Sequence, residues 1–258
     1  MRQSRSAVTD AAAVRFGHLL CILGILSAPA WSQSVDEETD YAVQLYETRH
    51  ISADNLRESY QLLSRLTREN PGSLRAHYEL SHACYLMGDA STSRTYKLKY
   101  YDEGYSVGKR AIEIDGNSAD AHLWTVVNRG RQGQTRGVLN SLFMIPELKR
   151  EIDAVLRIDP ENTVAMDVKG MLYYELPSFA GGDLKVAQAA LDAAIAIDPN
   201  YSVLYVDMAK VQIARKDFAR ARSYLNRLFE VEDPTYPADF ELDDRPDAER
   251  MLSEIEGK

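Results

Sequence analysis

A few stretches of this 258-residue chain place reactive or ligand-forming side chains at suggestive spacings. In "LPSFAGGDLKVA" (residues 176–187), Gly181 and Gly182 precede Lys185 at the start of an alanine-rich run, as in a loop that cradles phosphate. A phosphate loop of that kind needs G-x-x-x-x-G-K-[ST] after a strand. Here Val186 follows the lysine, and the preceding "GMLYYEL" reads as helix. Asp183 is placed to cap the next helix, where its carboxylate would occupy the positive helix end and repel phosphate. Gly181, Gly182 and Asp183 are therefore expected to form a structural turn in which the glycines accept φ > 0.

Metal and nucleophile chemistry fare no better. His77 and His82 stand five apart, off the i, i+4 spacing of a helical metal pair. His77 and His122 recur at one repeat position ("RAHYEL", "DAHLW"), which points to packing between helices. No serine lies in G-x-S-x-G. Cys84 falls within the apolar pattern "AHYELSHACYLMG" and is expected to be a buried small residue. "DFELDD" (239–244) begins like a calcium loop, but Asp244 replaces the necessary glycine and Arg250 the bidentate glutamate. It is expected to be a solvated acidic loop. No catalytic residue, metal or cofactor is assigned.

The elements around these residues repeat. "LTRENP", "AIEIDG", "VLRIDP", "AIAIDP" and "LFEVEDP" each close an amphipathic pattern on Pro71, Gly116, Pro160, Pro199 or Pro234. Those stops lie 45, 44, 39 and 35 residues apart. The last spacing approaches the 34-residue tetratricopeptide period, and the longer ones imply insertions. Aligning the stops puts Gly170, Ala187, Leu191, Ala194, Ala209, Ala221 and Leu225 where paired helices must approach closely. The expected fold is all-α, a tetratricopeptide-like α-solenoid over residues 33–258 with inserted segments. Insertions are expected at Ala90–Tyr100 and Arg129–Pro146, and Asp243–Lys258 is expected to form a capping helix.

Residues 1–32 read as a secretory signal. Arg2, Arg5 and Arg15 precede the short apolar run Leu19–Ser27, and Ala30-Trp31-Ser32 offers small residues for cleavage after Ser32 or Ala30. His18, Leu19 and Leu20 before Cys21 do not suit a lipoprotein site. The expected location is periplasmic. Without that segment the chain carries 27 basic and 38 acidic side chains, a formal charge of −11, which argues against nucleic acid. It also argues against docking on anionic lipid. Only Cys84 remains, so the chain can form no internal disulfide.

In such arrays the first helix of each pair lines the concave side. By alignment that face holds Tyr78, His82, Tyr85, Leu123, Val127, Met171, Tyr174, Val206 and Ile213, an apolar and tyrosine-rich set. Either it is an open groove for a ligand or partner, or inserted segments pack onto it as core.

"YYDEGYSVGKRAIEIDGNSADAHLWTVVNRG" and "YYELPSFAGGDLKVAQAALDAAIAIDPN" resemble the T-component family of tripartite ATP-independent periplasmic (TRAP) transporters. The match runs through Gly104, Ala111, Ala121, His122, Trp124, Leu176, Pro177, Gly181, Gly182 and Asp183. The resemblance implies a non-enzymatic exported protein that partners a periplasmic solute-binding protein and handles an apolar small molecule. A homo-oligomer is compatible with it. The same helical units also resemble eukaryotic microtubule-regulating proteins. The alternative is an envelope assembly scaffold that reads peptides or proteins in its groove.

Overall fold

The computed structural model describes residues 34–137 and 142–258; the expected signal segment, 1–32, lies outside them. Each repeated Asp ends one helix and shapes the turn into the next. The Oδ1 atoms of Asp115, Asp159 and Asp198 accept the amides of Asn117 (2.8 Å), Glu161 (3.3 Å) and Asn200 (3.0 Å). Such side-chain turns let the chain reverse without leaving a buried amide unpaired. Two residues after each Pro or Gly, Ser73, Ser118 and Asn162 cap the following helix by accepting the Ala76, Ala121 and Ala165 amides.

Among the described residues this punctuation yields five helix pairs: α1 (Val35–Glu47) with α2 (Ala53–Glu69), α3 (Leu74–Asp89) with α4 (Arg94–Ile114), α5 (Ala119–Arg136) with α6 (Ile145–Ile158), α7 (Thr163–Glu175) with α8 (Leu184–Ile197), and α9 (Val203–Ala214) with α10 (Phe218–Leu228). A turn at Pro237–Asp239 and a wide turn at Phe240–Asp244 lead into α11 (Arg245–Glu254). There is no strand among the described residues. First helices pack on first helices along the array, α1 on α3 and α3 on α5, as a solenoid requires.

The aligned small positions carry the packing. Ala187, Leu191, Ala194, Ala209, Ala221 and Leu225 are fully buried. A Cβ on Gly104 would lie 2.4 Å from Asn128 Oδ1, so α4 meets α5 at a distance only glycine allows. Cys84 is fully buried, and burial pushes its thiol well up. His77 and His122 are buried at matching places. Their Nδ1 atoms lie 2.7 Å from Ser73 O and 2.6 Å from Glu151 Oε2. The final helix forms over Arg245–Glu254 with Pro246 in its first turn, and buries Ala248, Met251 and Ile255 against α9 and α10.

Three expectations need correction. The segments read as insertions are mostly longer helices. Arg94 onward is the first part of α4, and Arg129–Arg136 the last two turns of α5. These extensions brace each other: Arg94 Nε donates to Thr135 O (3.0 Å), and Arg136 pairs with Asp102 (2.6 Å). Extra helical turns keep their amides bonded, which a loop of equal length would not.

The Gly-Gly turn is structural, but its two glycines do different jobs. Gly181 is left-handed at φ 95°. Gly182 does not need positive φ; a Cβ there would sit 1.8 Å from Leu176 O, against the backbone. Asp183 caps α8 as expected, accepting from the Lys185 (2.8 Å) and Val186 (3.4 Å) amides.

The acidic stretch at 239–244 is not a solvated loop. Asp244 is buried, Asp239 pairs with Arg49, and only the middle of the segment faces solvent. Superhelical curvature brings the last turn back to the first repeat, a closure that sequence distance conceals.

Candidate functional site

Four rings from three first helices converge. α3 presents His82 and Tyr85 one turn apart, α5 supplies Trp124 and α1 supplies Tyr46. The His82 imidazole lies flat on the Trp124 indole, with centroids 3.4 Å apart and planes 8° from parallel. Tyr85 stacks at 5.9 Å from Trp124, and Tyr46 meets His82 at 4.7 Å, tilted by 58°. Burial, then the Arg49 charge, holds His82 well below the usual imidazole range, so it packs as a neutral ring.

Charge is clamped at both ends of this stack. On one side Tyr46 donates to Glu79 Oε2 (2.7 Å). Burial raises the Glu79 carboxyl from its ordinary 4.5 to about 7, against the opposing Tyr46 hydrogen bond and Arg75. On the other side the Arg131 guanidinium lies 5.4 Å over the Tyr85 ring and donates to Tyr85 Oη (3.3 Å) and Asp89 Oδ2 (3.1 Å). Tyr101 donates to the other Asp89 oxygen at 2.6 Å. Burial opposes the charge on Arg131, but Tyr85 and Asp89 outweigh it.

At the far end of the array, α7, α9 and the C-terminal turn bring three carboxyls together. Lys210 pairs with Asp207 at 2.6 Å. Asp167 is pushed well above the carboxylate range by burial and by the neighbouring Asp207 charge, so it is held as the neutral acid. Asp244 is raised from 3.8 to about 7, mainly by burial, while Ser202 donates to its Oδ2 at 2.6 Å.

Protons bound at Asp244 and Glu79 in the folded chain are released at neutral pH in the unfolded chain. Their contribution is therefore complete near pH 4 and is lost as pH rises through about 7. His82 acts oppositely: its neutral burial costs stability as pH falls through 6.5. With two raised carboxyls against one depressed imidazole, these groups are expected to make the fold less stable as pH rises above about 4.5, with a loss of about 1–2 kcal/mol between pH 6.5 and 8. Asp244→Asn should flatten that loss; an unchanged loss would refute the assignment.

The nine aligned face residues do not form one row. His82 and Tyr85 enter the ring stack. Tyr78, half-buried on α3, faces the charge of Asp120 on α5. Leu123 (3% exposed) and Val206 (1%) are core instead, packed with Val155 and Ala165 and with Ala209 and Leu225. Val127 and Ile213 pack against those same clusters, Tyr174 packs against the α8–α9 core, and Met171 is half-buried. Tyr78 and Leu123 stand at the same place after the fully buried Ala76 and Ala121, so one repeat position is half-buried in one pair and core in the next.

Tyr46, Arg49, Trp124, Arg131 and the segment 235–244 are the members that alignment missed. One signal did mark the C-terminal segment. In the fifth pair Tyr201 stands where Ser73, Ser118 and Asn162 cap, and both Tyr201 and Ser202 touch the C-terminal segment instead.

The family described as "Regulator of microtubule dynamics protein 1-3" matches residues 39–190, and a tetratricopeptide repeat matches residues 178–237. Among curated proteins, Regulator of microtubule dynamics protein 2 of Rattus norvegicus is 24% identical over 152 residues, 59% of this chain and 37% of that protein. The Homo sapiens protein of that name is 24% identical over 153 residues, again 37% of its length. This chain thus spans little more than a third of the relatives it matches. A thermophilic TPR protein of Thermus thermophilus superposes with a TM-score of 0.65 at 15% identity, covering 85% of this chain and 100% of that one. That likeness establishes the tetratricopeptide-type solenoid fold.

Proposed function

The chain belongs to the regulator of microtubule dynamics protein 1-3 family, and from that premise we propose that it is a non-catalytic scaffold holding a segment of another protein against its first-helix face. The observation that carries this reading is that the ends of two first helices, α1 and α9, already engage a peptide segment. Residues 235–244 lie against Asn200, Ser202 and Arg49 through backbone, hydroxyl and ion-pair contacts. A surface that holds ten residues of its own chain has the shape and polar groups to hold ten of another.

The transporter-linked role, a solute-binding partner and an apolar ligand gain no support from the relatives, which are named as regulators of microtubule dynamics. The Leu176–Asp183 segment behind that resemblance serves the α7–α8 turn. The scaffold alternative is the better supported. Export remains part of the proposal on the strength of residues 1–32: envelope protein should begin at or near Gln33, and a lipid-modified Cys21 as the first residue would overturn it.

A photo-crosslinking side chain tests the scaffold reading. Placed at half-exposed Tyr78 in cells, it should trap a specific protein; placed at Glu58 on the outer surface of α2, it should not. Equal adducts from both sites, or none from Tyr78, would refute it.

A further inference from the structure

We propose that the groove beside the ring stack is a receptor for acidic, aromatic-led peptide segments, and that the chain's own residues 235–244 occupy it as a built-in competitor. This rests on the scaffold reading and names the chemistry of its partner.

The first ground is an ion pair that local structure does not require. Arg49, just past α1, pairs with Asp239, 190 residues away. Its side chain is only 10% exposed, and among the described residues no other carboxylate lies within ion-pair distance. Burial disfavours its charge, and Asp243 and Asp244 face it as well. A guanidinium so enclosed is costly unless a carboxylate meets it. The groove is thus built around an anionic occupant. Burial raises the Asp243 carboxyl, and the Arg49 charge opposes that rise.

The second ground is the broken repeat. The fifth pair gives up its side-chain helix cap, and the two residues involved receive the segment. The Tyr201 ring meets Tyr236 at 5.0 Å, and the Ser202 hydroxyl binds Asp244. Thr235 fixes the register, with its amide on Asn200 O (3.1 Å) and its hydroxyl on Asp198 (2.8 Å). Ordinary helix ends do not need such a dock.

The third ground is how lightly the segment is held. Ala238 is buried and Phe240 packs on the α9–α10 core, but Glu241 is exposed and Leu242 is 47% exposed. Most of its anchors are polar, so a foreign segment with the same groups can replace them. Tyr236, Asp239 and Asp243 define those groups: an aromatic ring followed by carboxylates three and seven residues later. On a chain of net charge −9, an enclosed cation such as Arg49 is what would draw in an acidic peptide.

A fluorescein-labelled peptide of sequence TYPADFELDD, titrated into the full chain and followed by anisotropy, tests this. Asp239→Asn with Asp243→Asn should loosen the internal segment, seen as faster hydrogen exchange at 235–244. It should also tighten peptide binding at least tenfold over the wild type. Adding Arg49→Gln should abolish that gain, as should replacing the peptide's aspartates by asparagines. If the segment opens but the peptide binds no tighter, or if exchange at 235–244 does not change, the proposal fails. If the double variant does not keep its helical circular dichroism, the charge swap Arg49→Asp with Asp239→Arg takes its place. That swap should restore slow exchange at 235–244, and failure to restore it overturns the proposal. Tyr78 adducts with a protein, alongside no peptide binding, would sink this inference and leave the scaffold reading intact. Peptide binding without Tyr78 adducts would do the reverse.

Discussion

Gly182→Val is expected to lower the melting temperature by roughly 6–12 °C, the equivalent of about 3 kcal/mol for a domain of this size. The cause is a collision between backbone and side chain. A Cβ at this position would lie 1.8 Å from Leu176 O and 2.7 Å from its carbonyl carbon, and neither is the end of a flexible side chain that could swing away. Relief requires the 177–182 turn to open. That turn is tied by the Gly182 amide on Pro177 O (3.1 Å) and the Asp183 amide on Tyr173 O (3.0 Å). Opening it would also disturb the Asp183 cap of α8. Gly181→Ala is the control: its penalty is only that of an L-residue at φ 95°, about 1 kcal/mol, because a Cβ there would meet only the flexible end of Lys149, at 3.7 Å. Equal effects from the two variants would contradict the geometry. A phosphate loop would instead lose nucleotide affinity in both while keeping its fold.

Trp124→Ala should cost about 3 kcal/mol, at the low end for a tryptophan because the ring is only half-buried. The loss has a second readout. With the indole gone, one face of His82 opens to water, and the burial that keeps its imidazole neutral is relieved. Its titration, followed by NMR, should move up toward the ordinary 6.5. A double-mutant cycle with His82→Ala should give a coupling of about 1 kcal/mol for the stacked pair. A stability loss with no movement of the His82 titration would mean that the stack is not what keeps it neutral.

Much of the fold was legible because its determinants are local. The stops at Pro71, Gly116, Pro160, Pro199 and Pro234 act on their own turns, and an Asp that takes an amide two residues on needs nothing distant. The small residues at fixed offsets recur because every pair makes the same close approach. The burial of Cys84, the packing roles of His77 and His122, and the cap at Asp183 follow from the same periodicity. Membership of the all-α solenoid class therefore required only the sequence, and so did the reading of Gly181-Gly182 as a turn rather than a phosphate loop.

What the tertiary structure decided is where distant elements meet. The packing of neighbouring elements, not the repeat position, put Leu123 and Val206 in the core. No local rule distinguishes a loop insertion from extra helical turns when, as at Arg94 and Arg136, the answer depends on partners about forty residues away. The reason Gly182 must be glycine lies in the path of Leu176 through space, not in the turn's own dihedrals. Above all, the return of Asp239 to Arg49 depends on the summed curvature of five helix pairs. Each pair contributes a small rotation set by side-chain packing, and only their accumulation turns an acidic tail segment into the occupant of a groove.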